Sequence, residues 1–276
     1  MDCPVCGRES LPGDAHPQVE LYRCTHCTHR FSRLKPGVPI EPYNAAYFEQ
    51  THKNWFAHPN FGLFEQIALL IDEEPAPRTV IDVGCGKGDL LRYLAGRPAT
   101  QATLTGVDLI TNETASKVRF IEGDALSVDL DTQFSVVVTM NTIEHVEDAH
   151  AFVQRIKSLT KPGGLVIIQT PNDASLLYMA ARAAKRLGVV LPINRIYDRH
   201  HLHHFTPASL ARLLESRGLT RVDAIMHNVP IAAIDIPVSS PVAETVLRMG
   251  VQILFGLGAM TGRTYSQTAI YRRPAA

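Results

Sequence analysis

Two sets of residues in this chain have the types and spacing to do chemistry. Four of its five cysteines form two pairs, Cys3-x-x-Cys6 and Cys24-x-x-Cys27, with 17 residues between the pairs. Each pair can sit on a tight knuckle, and two knuckles together offer four thiolates to a tetrahedral Zn2+. Gly7 follows the first pair, where such a turn favours a residue without Cβ. His26 and His29 stand nearby as substitute ligands, but Cys3, Cys6, Cys24 and Cys27 already complete the shell. A closed shell has no open position for a reactant, so the ion is expected to be structural.

The second set surrounds Gly84-Cys85-Gly86-Lys87-Gly88. Glycines let the backbone approach a ligand closely, and amides at the start of a helix favour an anionic group. A dinucleotide loop would carry a third glycine where Asp89 stands, so a pyrophosphate is the poorer candidate. Acidic residues fit something else. Asp82 could receive the ammonium of an amino acid, Asp108 could accept both ribose hydroxyls, and Glu122-Gly123-Asp124-Ala125 could bond an adenine amino group. Those spacings suit a nucleoside joined to an amino acid.

Such residues need a scaffold that gathers them. Thr79–Val83 is a β-branched run ending in the glycine loop, and Leu90–Leu94 opens a helix. Further strands are predicted at Thr103–Val107, Val118–Ile121, Phe134–Thr139 and Leu165–Thr170. A helix from Asp148 to Leu159 is expected to end at the breaker and turn Lys161-Pro162-Gly163-Gly164. Alternating strands and helices predict an α/β fold, doubly wound around a mostly parallel sheet. The crossover from Leu109 to Lys117 is too short for more than a turn in place of its helix. Residues 1–35 read as the zinc ribbon, 36–78 as a helical cap rich in aromatics (Tyr43, Tyr47, Phe48, Trp55, Phe56), and 79–276 as the main domain. Within the last, 79–172 is the cofactor-binding core, 173–266 the substrate side and 267–273 the last strand.

The substrate side holds a basic helical stretch at Leu176–Leu187, a histidine cluster (His200, His201, His203, His204), a helix at Pro207–Arg217 and a strand near Arg221–His227. Several of the clustered histidines are expected in an exposed loop. The apolar insertion Val229–Ala259 reads as a buried helix covering the substrate, with a lipid-facing patch as the other reading. Arg182, Lys185, Arg186, Arg195 and Arg199 could hold an anionic acceptor, meet a membrane surface, or form a solvated face.

Composition narrows the function classes. Lys plus Arg equals Asp plus Glu at 27 each, and residues 1–35 hold five basic against four acidic residues. No global field draws the chain to nucleic acid, so a nucleic-acid partner is not expected and any such role would need a local patch. No N-terminal signal pattern and no uninterrupted apolar run of bilayer length is present, so a cytoplasmic protein without a spanning helix is expected. The oligomeric state is left open.

The chain resembles the class I S-adenosylmethionine-dependent methyltransferases. Five pieces carry the resemblance in order across Thr79–Asn172: the run from Val80 to Gly88, Gly106-Val107-Asp108, Glu122-Gly123-Asp124-Ala125, Asn141 to Val146, and Leu159 to Gly164. The resemblance implies a seven-stranded sheet with a reversed last strand. It also implies that Asp82, Gly84, Gly86, Asp108, Asp124 and Asn141 line S-adenosyl-L-methionine, with Cys85, Leu109, Ala125 and Thr142 beside them in the same motifs. Glu144-His145-Val146 and His201 to Pro207 resemble the small-molecule branch that includes ubiquinone-biosynthesis O-methyltransferases. There a glutamate often replaces Asn141 and helps hold a divalent cation; asparagine weakens that site. A hydroxyl acceptor implies a base, for which His201 is the first candidate and His145 the second; packing below the site is the other role open to His145. The zinc module also resembles that of ribosomal RNA guanine methyltransferases, and a non-catalytic cofactor-binding scaffold is the third reading.

Overall fold

The structure, a computed structural model, describes residues 1–39, 53–110, 115–130, 132–236, 238 and 240–275. Tyr43, Tyr47 and Phe48 of the expected cap lie outside the described residues. The chain divides into two compact units. The first comprises Met1–Pro59, Pro171–Ser209 and Met226–Gln267; the second comprises Asn60–Thr170, Leu210–Ile225 and Thr268–Ala276.

The first unit begins with three antiparallel strands, β1 (Ser10–Ala15), β2 (Val19–Cys24) and β3 (Arg30–Leu34). A two-residue strand, β9 (His203–His204), adds to β3 with Arg30 opposite His204 and Phe31 opposite His203. The expected exposed histidine loop is thereby corrected: His203 and His204 are buried, because a strand added to the ribbon sheet turns them under it. Helices α1 (Lys53–Ala57), α5 (Leu176–Arg186), α6 (Leu191–Ile196) and α8 (Pro241–Thr261) complete the unit. Val19 and Leu21 of β2 pack with Tyr178, Ile193 and Tyr197. Asp173, fully buried, is held by Arg30, Arg182 and the Tyr197 hydroxyl. A buried carboxylate survives because both of its oxygens are bonded to cations or hydroxyls.

Helix α8 overturns the expected burial of the apolar insertion. Only Phe255 and Gly258 of its 21 residues are buried, while Val242, Val246, Met249, Ile253, Leu257 and Met260 are exposed. It is also long and apolar enough, by length and composition alone, to cross a membrane. Its two charged residues, Glu244 and Arg248, pair with each other one turn apart, and the rest of the helix carries no charge.

The second unit carries most of a seven-stranded sheet. Its strands are β4 (Arg78–Val83), β5 (Ala102–Asp108), β6 (Val118–Glu122), β7 (Phe134–Met140), β8 (Thr160–Pro171), β10 (Thr220–His227) and β11 (Ser266–Arg272). They lie in the order β10-β11-β8-β7-β4-β5-β6, with β4 to β8 mutually parallel where paired. Val80, Ile81 and Val83 are all buried, as a central strand covered on both faces requires. Helices α2 (Phe61–Asp72), α3 (Asp89–Gly96), α4 (Ala149–Leu159) and α7 (Pro207–Ser216) accompany the sheet. In α4, Ala149, Phe152, Val153, Ile156 and Leu159 recur at helical spacing and are buried, and Asp148 caps the start by accepting from Ala151 N at 2.9 Å. Among the described residues of the β5–β6 crossover none is helical.

The expected turn at Lys161–Gly164 is instead the first part of β8. Phe134 pairs with Thr160 and Val136 with Leu165, so the intervening residues bulge out of the ladder. Gly163, at φ +77°, accommodates the bulge, and its N–H donates to Arg273 O at 2.9 Å.

Candidate active site

From β4 the chain builds outward through β5 and β6, then returns to the other side of β4 with β7. At such a reversal the loops after the two neighbouring strands diverge, leaving a crevice beyond their carboxyl ends. Asp82 and Gly84 stand at the end of β4, and Asn141 and Thr142 at the end of β7.

The loop conformation follows from what surrounds it. Gly84 has φ +74°, and a Cβ there would collide with the Thr142 side chain, so no other residue fits. Thr142 Oγ1 lies 3.2 to 3.4 Å from the carbonyl oxygens of Met140, Val83 and Gly84. Asn141, at φ +50°, occupies the left-handed region open to few residues besides glycine, and its N–H donates to Gln169 O at 3.0 Å.

Asp108 ties the strand ends together. Gly86 N donates to its Oδ2 at 2.7 Å, Ile110 N to its Oδ1 at 3.3 Å, and Gly123 N to its carbonyl at 2.8 Å. Burial raises its carboxyl pKa, while the backbone N–H groups of Gly86, Ile110 and Leu109 oppose the rise. A carboxylate has about four acceptor positions, so capacity remains for hydroxyl donors. Leu109 is exposed beside it. At the end of β6, Asp124 is exposed and accepts from Leu126 N at 2.9 Å, and Ala125 O accepts from Arg155 Nε at 3.0 Å. The ten residues expected around a nucleoside are thus all borne on the ends of β4, β5, β6 and β7.

Asp82 is the anomaly. It is buried, and its Oδ1 has no partner among the described residues. Burial, then the charges of Asp108 and Asp89, push its pKa up to about 8. An unsatisfied buried carboxylate is costly, and a cationic ligand group would relieve it. The donor set fits an amino-acid nucleoside, with one carboxylate lacking a cation and a second with acceptor capacity left. Cys85 adds no chemistry of its own, because burial, then Asp82 and Asp108, hold its thiol far above the ordinary range.

Two buried polar residues beside the site, Glu144 and Gln169, have no role of their own in the sequence reading. Glu144 is buried, its Oε2 accepts from Thr170 Oγ1 at 2.9 Å, and its Oε1 has no partner among the described residues. Gln169 is buried likewise with Oε1 unpartnered. The signal was a polar Gln-Thr pair closing the apolar run of β8. His145, the second base candidate, is half-buried one residue on from Glu144, and its N–H donates to Thr142 O at 2.9 Å.

Burial raises the Glu144 pKa from 4.5 to about 8, with backbone and Thr170 hydrogen bonds only partly opposing it. Between those two values the unfolded chain has released the proton and the folded one keeps it. The stabilisation is therefore complete below pH 4.5 and is lost as pH rises to about 8. Glu144→Gln removes this dependence, and its melting temperature is expected to exceed the parent's by on the order of 10 degrees at pH well above 8, with little difference near pH 4. Calorimetric melting across that range checks it; an equal shift at both ends would show that Glu144 does not titrate this way.

In the first unit the four cysteine sulfurs lie within 4.8 Å of one another, with Cys3–Cys27 and Cys6–Cys24 each at 3.5 Å. Zn–S bonds of about 2.3 Å in a tetrahedron imply sulfur separations of about 3.8 Å, so the set fits the ion. His29 is not a ligand here: it is fully buried, and its Nε2 lies 3.2 Å from His203 Nδ1. Burial holds both His29 and His204 well below the ordinary imidazole range, so each packs as a neutral ring. His201, the first base candidate, also belongs to this unit. Ser32 Oγ donates to its carbonyl at 2.5 Å, and Ser32 N donates to Leu202 O at 2.9 Å. The backbone of His201 is thus held by the third strand of the ribbon.

Comparison with known proteins agrees with this geometry. Residues 56–224 match the family described as "Methyltransferase domain". The chain is 31% identical over 205 residues to the ubiquinone biosynthesis O-methyltransferase of Nitrosomonas europaea, covering 66% of this chain and 84% of that one. It is 32% identical over 160 residues to the corresponding protein of Colwellia psychrerythraea, covering 52% of this chain and 62% of that one. Among solved structures, the 1,6-didemethyltoxoflavin-N1-methyltransferase of Burkholderia thailandensis, with bound S-adenosylhomocysteine, superposes with a TM-score of 0.54 at 16% identity, covering 94% of this chain and all of that one. That last likeness is one of fold.

Proposed function

Because the chain belongs to the methyltransferase-domain family, we propose that this S-adenosylmethionine-dependent enzyme methylates an oxygen on a small-molecule acceptor of the phenolic isoprenoid, sugar or secondary-metabolite class, and holds a structural Zn2+ on Cys3, Cys6, Cys24 and Cys27. The observation that carries the cofactor site is Asp82, a buried carboxyl beside the glycine loop whose Oδ1 has no partner among the described residues. The acceptor class rests on the identity to O-methyltransferases named for ubiquinone biosynthesis. The Colwellia relative is matched over 62% of its length.

When bound, S-adenosyl-L-methionine supplies an electrophilic methyl group, which an acceptor must approach in line with the departing sulfur. Asp82 receives the cofactor's ammonium, and Asp108 accepts from the ribose hydroxyls. Residues 124 and 125 border the adenine, while Asn141 and Thr142 hold the loop after β7 against Gly84. An imidazole nitrogen, on His201 first and His145 second, takes the proton from the acceptor hydroxyl as its oxygen attacks.

Calorimetric titration with S-adenosylhomocysteine tests the cofactor site. Binding in the micromolar range is expected, weakening by about 2 kcal/mol or more in Asp108→Ala, as when a charged hydrogen-bond partner is lost. Equal affinity in parent and variant would remove Asp108 from the site, and no binding in either would reject the site itself. Production of S-adenosylhomocysteine with catechols, demethylated quinols and sugars then separates the acceptor classes.

A further inference from the structure

We propose that α8 and the α5–α6 turn form a face that lies in the surface of an anionic lipid bilayer. The first observation is the course of the exposed residues on α8. Val242, Val246, Met249, Ile253, Leu257 and Met260 recur every three or four residues along the whole helix, which makes one continuous stripe. Met260 is 84% exposed and Val242 73% exposed, so the stripe is not half-covered at its ends. Soluble proteins scatter single apolar residues over their surfaces; a continuous stripe along a helix of this length marks an interaction site.

The second observation concerns what lies beside that helix. Helix α5 packs against α8, with Leu176 N donating to Arg263 O at 3.1 Å. Where α5 ends, Leu187, Val189, Val190 and Leu191 are all exposed, Leu187 at 84%. Residues 176–197 contain no acidic residue, and besides Arg182, which is paired with Asp173, they carry Lys185, Arg186 and Arg195. Arg186 and Arg195 are exposed on either side of the apolar turn. Apolar tips bracketed by cations match a leaflet whose headgroups are negative above an acyl layer.

That charge chooses among the occupants. Pairing of two copies through α8 would bring two cationic 176–197 segments towards each other, whereas anionic headgroups would neutralise them. The anchoring of α8 argues against a spanning helix. Phe255 and Gly258 are buried, Asn228 Nδ2 donates to Phe255 O at 3.0 Å, and Arg248 Nη1 donates to Ile231 O at 2.9 Å. At Gly258 a Cβ would meet Arg263 O at 2.7 Å, so that side of the helix is in close contact with backbone. One side of α8 is therefore held by its own unit, and the other is left to lie along an interface.

Sedimentation of the full chain with vesicles tests the proposal. Binding is expected to vesicles of phosphatidylcholine and phosphatidylglycerol in equal parts, weaker binding to phosphatidylcholine alone, and loss of binding in high salt. The double variant Ile253→Glu, Met260→Glu is expected to lose at least about tenfold in vesicle affinity. Arg186→Glu with Arg195→Glu should lose the preference for anionic lipid. S-adenosylhomocysteine affinity and circular dichroism of each variant report that the fold is intact, independently of the acceptor. The proposal is overturned if the full chain does not co-sediment, or if both double variants bind as the parent does. It is equally overturned if bound protein resists alkaline extraction, which would mean a spanning helix. Light scattering that shows a dimer broken by Ile253→Glu, without vesicle binding, would assign the face to a second copy.

Discussion

Replacing Cys24 with serine, or removing the metal with a strong chelator, is expected to release one equivalent of zinc and to free the backbone of residues 201–206. Structural zinc sites bind with about 10 to 16 kcal/mol in small peptides, as much as the whole net stability of a typical domain at about 5 to 15 kcal/mol. The metal is therefore expected to decide whether the ribbon is ordered. Its order passes on through particular bonds. Past the second knuckle, Thr28 Oγ1 lies 3.2 Å from Thr206 Oγ1, His29 reaches His203, and β3 pairs with β9. Ser32 fixes the carbonyls of His201 and Leu202. Hydrogen exchange at residues 201–206 should rise by orders of magnitude in the metal-free protein, and element analysis should find zinc only in the parent. Full protection of this segment without metal would show that the ribbon sheet folds by itself.

His201→Ala is the second large effect. If its imidazole takes the acceptor proton, turnover should fall by a factor on the order of 10² to 10⁴, with S-adenosylhomocysteine affinity unchanged because the residues proposed to hold the cofactor stand on β4 to β7. His145→Ala is the internal comparison. Turnover lost there and kept in His201→Ala would transfer the role to the histidine after Glu144, and turnover kept in both would mean that the acceptor loses its proton to water.

How much of this was legible in the sequence depends on whether a feature is local. The glycine loop, the acidic residues at the ends of three strands, the cysteine pairs and most of the strands could be placed along the chain. Each depends on residues a few positions apart: a β-branched run before a turn, or two thiols on one knuckle. The doubly wound sheet followed from their alternation. The bulge at Lys161–Gly164 reads as a turn because a proline followed by two glycines breaks a helix in either setting. Pairing with β7 and with Arg273 made it part of a strand.

Other features depended on contacts distant in sequence. Nothing local marks His203 and His204 as a strand: the pairing with β3 lies more than 170 residues away along the chain and buries both rings. Asp82 could be recognised as an acid before a glycine loop, but not as a carboxylate driven to a pKa of about 8, because desolvation is a property of the packed interior. Helix α8 is the converse. Its apolar composition read as burial, since hydrophobicity in a sequence states that a surface leaves water without stating what covers it. From the sequence alone came the positions of the glycine loop, the strand-end acids and the paired cysteines, which are short-range patterns. Which groups are neutral, which loop is held by the ribbon and which apolar face stays uncovered were decided by the tertiary structure, because burial and long-range pairing exist only once the chain has folded.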